Sequence, residues 1–156
     1  MKKLILIAII VIITGLLYFR WGNNNEKLYD LAVQYLIDHD NNPERFNEAY
    51  KLFIDYHDFG IREDDKYRYA YMWILAESYY LENNEIISGS GSSMAYKFVF
   101  DKDEDRVIKY ELPMDGSYYV SSIKKMFPRD IAKKVLSFSF SDDNLRNQVK
   151  QYYSNY

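Results

Sequence analysis

Cysteine is absent from this chain of 156 residues. That excludes a disulfide framework, a thiolate zinc site, a thiol nucleophile and a lipid-modified N-terminal cysteine. Histidine is scarce: only His39 and His57 occur. An excess of basic charge is also lacking. The formal net charge is −3, and it is −6 past residue 22, because Lys2, Lys3 and Arg20 lie before that point. A mildly acidic surface argues against nucleic acid and against flat adhesion to anionic lipid. No Asn-x-Ser/Thr sequon is present, and the prolines are limited to Pro43, Pro113 and Pro128, each at an expected element boundary.

What the chain does have, at its start, is a long apolar run. From Leu4 to Phe19 only Thr14 and Gly15 are not strongly apolar or aromatic. As a helix the run would be roughly 24 Å long at ~1.5 Å per residue, slightly short of a hydrocarbon core of about 30 Å. Tyr18 and Trp21 can sit at the interface while Lys3 and Arg20 snorkel outward. A cleaved secretory signal would need a small-x-small site after the run, and Leu17-Tyr18-Phe19-Arg20-Trp21 is too bulky. The expectation is a cytoplasmic tip over residues 1–3 and a single-pass transmembrane anchor over residues 4–21. Lys2 and Lys3 then place the N-terminus in the cytoplasm and the C-terminal domain on the periplasmic or extracellular side of an inner (plasma) membrane.

Past the anchor, Leu28, Leu31, Ala32, Tyr35 and Leu36 form one stripe of an amphipathic helix. Asn42-Pro43 reads as an N-cap with proline at the first helical position, opening a second helix that carries Phe46, Ala49, Tyr50, Phe53 and Ile54 and ends at Phe59-Gly60. Asp64 or Asp65 caps a third, running to Leu81. From Tyr67 to Leu81, 12 of 15 residues are apolar or aromatic. A helix apolar on all sides is sandwiched between partners, so this one is placed at the centre of the fold. Residues 22–87 are thus a helical unit, and Ser88–Ser93 a flexible linker or loop. Residues 94–156 form a small α+β unit packed on the helices. Ala95–Phe100 and Arg106–Leu112 are strands, Asp101–Asp105 the turn between them. Two short helices follow, one opened by Asp115-Gly116-Ser117 and ended by Pro128, the other capped by Asp130. Ser137–Ser141 alternates like a strand, and Asp142 or Asp143 caps a last helix. The predicted class is helix-dominated α+β: a transmembrane helix, a three-helix unit, then ββααβα.

Motifs that would fix a chemistry fail on inspection. Asp101-Lys-Asp103-Glu-Asp105 begins like an EF-hand loop, but Arg106 stands where the loop needs Gly and Leu112 where it needs Glu. Ser88–Ser93 lacks the Lys-Ser/Thr of a phosphate loop and the spacing of a nucleophile elbow. Nothing in the spacing of His39 and His57 puts them on one face with a carboxylate. No metal site and no cofactor are expected. Glu77, inside the apolar third helix, is the one carboxylate expected to be desolvated. Seventeen tyrosines, with many Asn, Ile and Lys, fit an AT-rich bacterial genome as well as they fit a binding surface. In the pair Tyr118-Tyr119, Tyr119 shares a stripe with Ile123 and Met126. Tyr118, beside the polar cap Asp115, should face outward. Asp115 and Tyr118 are therefore the candidate partner-binding residues.

Leu31-Ala32-x-x-Tyr35 recurs as Leu75-Ala76-x-x-Tyr79, with Ala49 and Phe53 between them. This resembles tetratricopeptide or Sel1-like helical repeats over Leu28–Leu81, which implies a protein-binding scaffold. The stretch from Tyr110-Glu-Leu-Pro-Met-Asp-Gly-Ser-Tyr-Tyr119 to Pro128 resembles small bacterial envelope proteins, some of them similar to immunity proteins of contact-dependent toxin systems. The function expected is a membrane-anchored, non-catalytic protein-interaction domain of the bacterial envelope, with toxin neutralisation as the role that resemblance implies. The alternative is an anchored hydrolase with an unconventional carboxylate site. A mass measurement of the mature protein tests the first expectation: it should retain Met1–Trp21, and a species beginning near residue 22 would identify a cleaved signal instead.

Overall fold

The computed structural model describes residues 25–39 and 50–154. The first stripe folds as its spacing predicts. Helix α1 covers residues 25–39 and buries Leu28, Tyr29 and Ala32 against a sheet. That sheet is a four-stranded antiparallel meander in the order β1-β2-β3-β4. Its strands are β1 (Lys51–Glu63), β2 (Tyr67–Glu82), β3 (Glu85–Asp101) and β4 (Arg106–Glu111). A 3₁₀ turn, Gly116–Tyr118, leads into α2 (Tyr119–Met126), followed by α3 (Arg129–Ser137) and α4 (Asp143–Tyr153).

The helix-dominated architecture expected from sequence is therefore overturned: 43% of the described residues are strand and 38% helix. The second expected helix is β1 from Lys51 onward, its opening at Asn42-Pro43 lying outside the described residues. The third is β2. The physical reason is the double covering of the sheet. Ala70, Met72, Ile74 and Ala76 face α1. Their odd-numbered neighbours Tyr71 and Trp73 face α2 and α3, and Leu75 and Tyr79 face α4. A strand buried on both faces is a near-continuous apolar run, and periodicity alone cannot separate it from a buried helix. Length argued for a helix, because strands of 16 residues are rare. The abundance of Tyr, Trp and Ile argued for a strand, and that preference prevails.

Residues 88–93, expected as a flexible linker, lie inside β3. Their glycines are there for close approach. A Cβ on Gly89 would stand 2.6 Å from Ser78 Oγ and 3.0 Å from the Tyr50 ring. One on Gly91 would stand 3.1 Å from Glu77 Cγ. The β2–β3 turn is Asn83-Asn84, both at positive φ (51° and 64°), as a two-residue hairpin turn requires. Ser137–Ser141 is not a third strand. Ser137 ends α3, the chain leaves it extended at Phe138 (φ −80°, ψ 141°), and Phe138 packs on Phe59, Trp73 and Phe140. Alternation there marks one side against a core, and among the described residues no strand pairs with it.

Among the described residues no helix is long and apolar enough to cross a membrane. The single-pass transmembrane helix of the expected architecture thus has no support in the fold, and residues 4–21, on which it rested, lie outside the described residues.

Centrality of β2 and β3 predicts a graded mutational response. Phe98→Ala, at a fully buried ring beneath α1, should destabilise by about 3–5 kcal/mol. Trp73 is only partly buried, and its indole N–H donates to Ser93 Oγ at 2.8 Å. Trp73→Ala should therefore cost less than Phe98→Ala. Denaturant unfolding of the two variants decides this, and the reverse ranking would contradict the assignment of faces.

Candidate partner-binding site

Where β4 ends, the chain leaves the sheet abruptly. Pro113 has no N–H to continue a ladder. The Met114 N–H instead donates to Ser122 Oγ at 2.9 Å, tying the connection to α2. Gly116 sits at φ +63°, where a side chain would be strained. Asp115 precedes the 3₁₀ turn without a side-chain capping bond, so it does not act as the expected polar cap. Tyr118 closes that turn, and α2 starts at Tyr119.

This geometry divides the tyrosine pair in the expected sense. Tyr118 is 61% exposed. Tyr119 is half-buried and packs on the cluster of Ile123, Phe127 and Ile131. Burial pushes the Tyr119 phenol above its ordinary pKa, and its hydroxyl has no hydrogen-bond partner among the described residues. Leu112, Met114 and Val120 are also exposed, at 41%, 60% and 48%. Four large apolar side chains within nine residues thus stand outward on a backbone fixed by Ser122 and by the buried Ile123. Asp115 is exposed beside them. The sequence reading proposed Asp115 and Tyr118 and did not single out the exposed Leu112, Met114 and Val120. The signal available was an apolar run interrupted by Pro113 and Gly116, which prevent a regular element from burying it.

The other candidates are scattered. His39 and His57 lie on opposite sides of the sheet. His39 stacks on Tyr35 with ring centroids 4.0 Å apart, and His57 stacks on Phe138 at 4.4 Å. His57 lines an open cleft of about 360 Å³ with Asp58, Gly60 and Lys134. The cleft lies where the register of β1 slips between Asp58 and Gly60 and Gly60 takes φ +114°. A second cleft of about 270 Å³ lies by Tyr69, Lys97, Ile108 and Glu111. Lys109 at 2.6 Å and Lys97 at 3.0 Å hold the Glu111 carboxyl below its ordinary pKa, against its partial burial. Asp101 accepts the amides of Asp103 and Glu104 at 3.0 and 3.2 Å, so the acidic stretch is a self-capped turn. Asp105 pairs with Lys27 and Arg68. Among the described residues no group of three or more carboxylates and imidazoles is placed to hold a metal ion.

Glu77 stands on the α4 side of β2. Its two oxygens accept from Tyr79 Oη at 2.8 Å and Ser88 Oγ at 2.5 Å. Comparison with family models, with curated proteins and with solved structures finds no match for this chain.

Burial, and then the Glu77 carboxylate, pushes the Tyr79 phenol up to about 12 from its ordinary 10.0. The fold therefore favours the neutral phenol. The stability this contributes is complete below pH 10 and is lost as pH rises through 12. Tyr69, bonded to Asp64, moves the same way to about 12. The thermal midpoint should fall steeply over that alkaline window, and Tyr79→Phe should make the fall shallower. Scanning calorimetry against pH tests this; an unchanged slope in Tyr79→Phe would show that Tyr79 ionises freely.

Proposed function

We infer that the chain is a non-catalytic protein-interaction domain. It engages a protein partner through the surface formed by Leu112, Met114, Tyr118 and Val120, with Asp115 beside them. The observation that carries this reading is the exposure of those four side chains on a connection tied to α2 by the Met114–Ser122 hydrogen bond. Contiguous exposed apolar surface marks an interaction site. Tyr and Met are enriched at interfaces, and a rigid exposed Tyr gives large contact area at low entropic cost. The proposed place of action is the bacterial envelope. Neutralising a toxin is the form of partner binding that the resemblance around Tyr110–Pro128 implies.

The test uses full-length chain carrying a photo-crosslinking residue at position 118 in its own cells, with position 106 on the exposed Arg106 as control. Crosslinking should be specific to position 118. Tyr118→Ala should weaken capture of the crosslinked partner by about tenfold or more, as expected for an aromatic anchor, and leave the thermal midpoint unchanged. Tyr119→Phe should leave capture intact without lowering stability, because the hydroxyl removed makes no hydrogen bond among the described residues. Equal crosslinking at both positions, or unfolding of Tyr118→Ala, would contradict the assignment of this surface.

A further inference from the structure

Strand β3 is paired very unequally on its two sides. β2 follows it from Glu85 to Asp101. β4 pairs only with Lys97–Asp101, because the chain leaves the sheet after Glu111. Among the described residues no strand pairs with the outer side of β3 between Glu85 and Ala95. At ~3.3 Å per residue this free edge is roughly 36 Å long. An open edge presents a row of backbone N–H and C=O groups, and proteins usually guard it with lysines, proline or a bulge. Residues 86–96 contain no charged residue and no proline. A register slip where Gly89 and Ser90 face Ser78 interrupts the edge once, and Gly91–Tyr96 beyond it continues in regular pairing with β2. The side chains that could shield the backbone are small, with Ser88, Gly89, Gly91 and Ser93 all exposed.

The chemistry beside the edge is one-sided. From Tyr69 to Tyr96 the chain carries Glu77, Glu82 and Glu85 and no lysine or arginine. Glu82 and Glu85 are direct cross-strand partners, both exposed, and like charges so placed repel. The next pair, Leu81 and Ile86, is aliphatic and exposed at 43% and 39%. Arg146 of α4 is paired with Asp142 at 2.7 Å.

We propose that the free edge of β3 takes up an extended segment of a partner protein as an added antiparallel strand, continuing the line of β4. Backbone hydrogen bonds supply the pairing. A lysine or arginine of the segment neutralises the Glu82–Glu85 pair, and an apolar residue covers Leu81 and Ile86. The proposal rests on the reading of this chain as a protein-binding domain and assigns it a second point of engagement.

The experiment is hydrogen exchange on the full-length chain, following the amides of residues 86–96. Three synthetic probes are compared: the peptide Lys-Val-Thr-Val-Lys-Val-Thr-Val, the same peptide with Glu for Lys, and the lysine peptide N-methylated at alternate residues. In the free chain at low concentration, residues 86–96 should exchange faster than residues 69–76 of β2. The lysine peptide should slow the 86–96 amides at least tenfold, while the other two probes should not. Glu82→Lys combined with Glu85→Lys, in an exposed hairpin end, should weaken the lysine peptide about tenfold. Absence of protection by the lysine peptide would overturn the proposal. So would protection already complete in the free chain, which means the chain covers its own edge. Protection that grows with protein concentration would assign the edge to a second copy and overturn it as well. If position 118 fails to crosslink while the edge is protected, only the Leu112–Val120 surface falls; the reverse pattern removes only the strand site.

Discussion

Strand β2 is apolar on both faces, and a sheet with such a strand inside it has to be covered on both sides. That requirement organises the rest of the chain. α1 supplies Leu28, Tyr29 and Ala32 to one face. The other face is too long for one helix and is shared, with Ile123, Ile131 and Val135 of α2 and α3 at one end and Leu145 and Val149 of α4 at the other. The order of elements follows: a helix before the meander covers one face, and the three after it cover the second. The result is a three-layer arrangement in which the buried rings Phe98 and Phe100 lie under α1.

The same requirement decides which surfaces are left over. Helix stripes cover the faces of a sheet but not its edges, so among the described residues no strand pairs with the outer side of β3 from Glu85 to Ala95. The connection from β4 to α2 has to cross from the sheet to the layer above it. Pro113 and Gly116 make that turn, and the turn holds Met114 and Tyr118 outward while Tyr119 and Ile123 are drawn into the core. Both surfaces proposed for a partner are thus by-products of one packing solution, set by the point where β4 stops.

The sequence was readable where periodicity, turn residues, caps and prolines agree. The α1 stripe, the strands expected at Ala95–Phe100 and Arg106–Leu112, which fall on β3 and β4, the turn at Asp101–Asp105 and the three C-terminal helices follow from them. It misled where a long apolar run carries no such punctuation. In Tyr67–Leu81 burial on each side erased the alternation that marks a strand, and the run then passed for a helix. Ser88–Ser93 misled for a related reason. Small residues packed against Ser78, Tyr50 and Glu77 look, without their neighbours, the same as small residues chosen for freedom. At the candidate site the exposure of Tyr118 was legible from its angle to Tyr119. The exposure of Leu112, Met114 and Val120 was not, because it depends on where β4 ends.

The register between β2 and β3 carries the whole account, and the absence of native cysteine makes it directly measurable. Leu75 and Ser93 are cross-strand partners. At the ~4.5–5.5 Å Cα separation of such pairs, two cysteines fall within disulfide reach. Ser92 projects to the opposite face. The pair Leu75→Cys with Ser93→Cys should oxidise rapidly to a single crosslinked species, and Leu75→Cys with Ser92→Cys should not. Equal crosslinking of the two pairs, as a flexible linker at 88–93 would give, would contradict the doubly covered sheet.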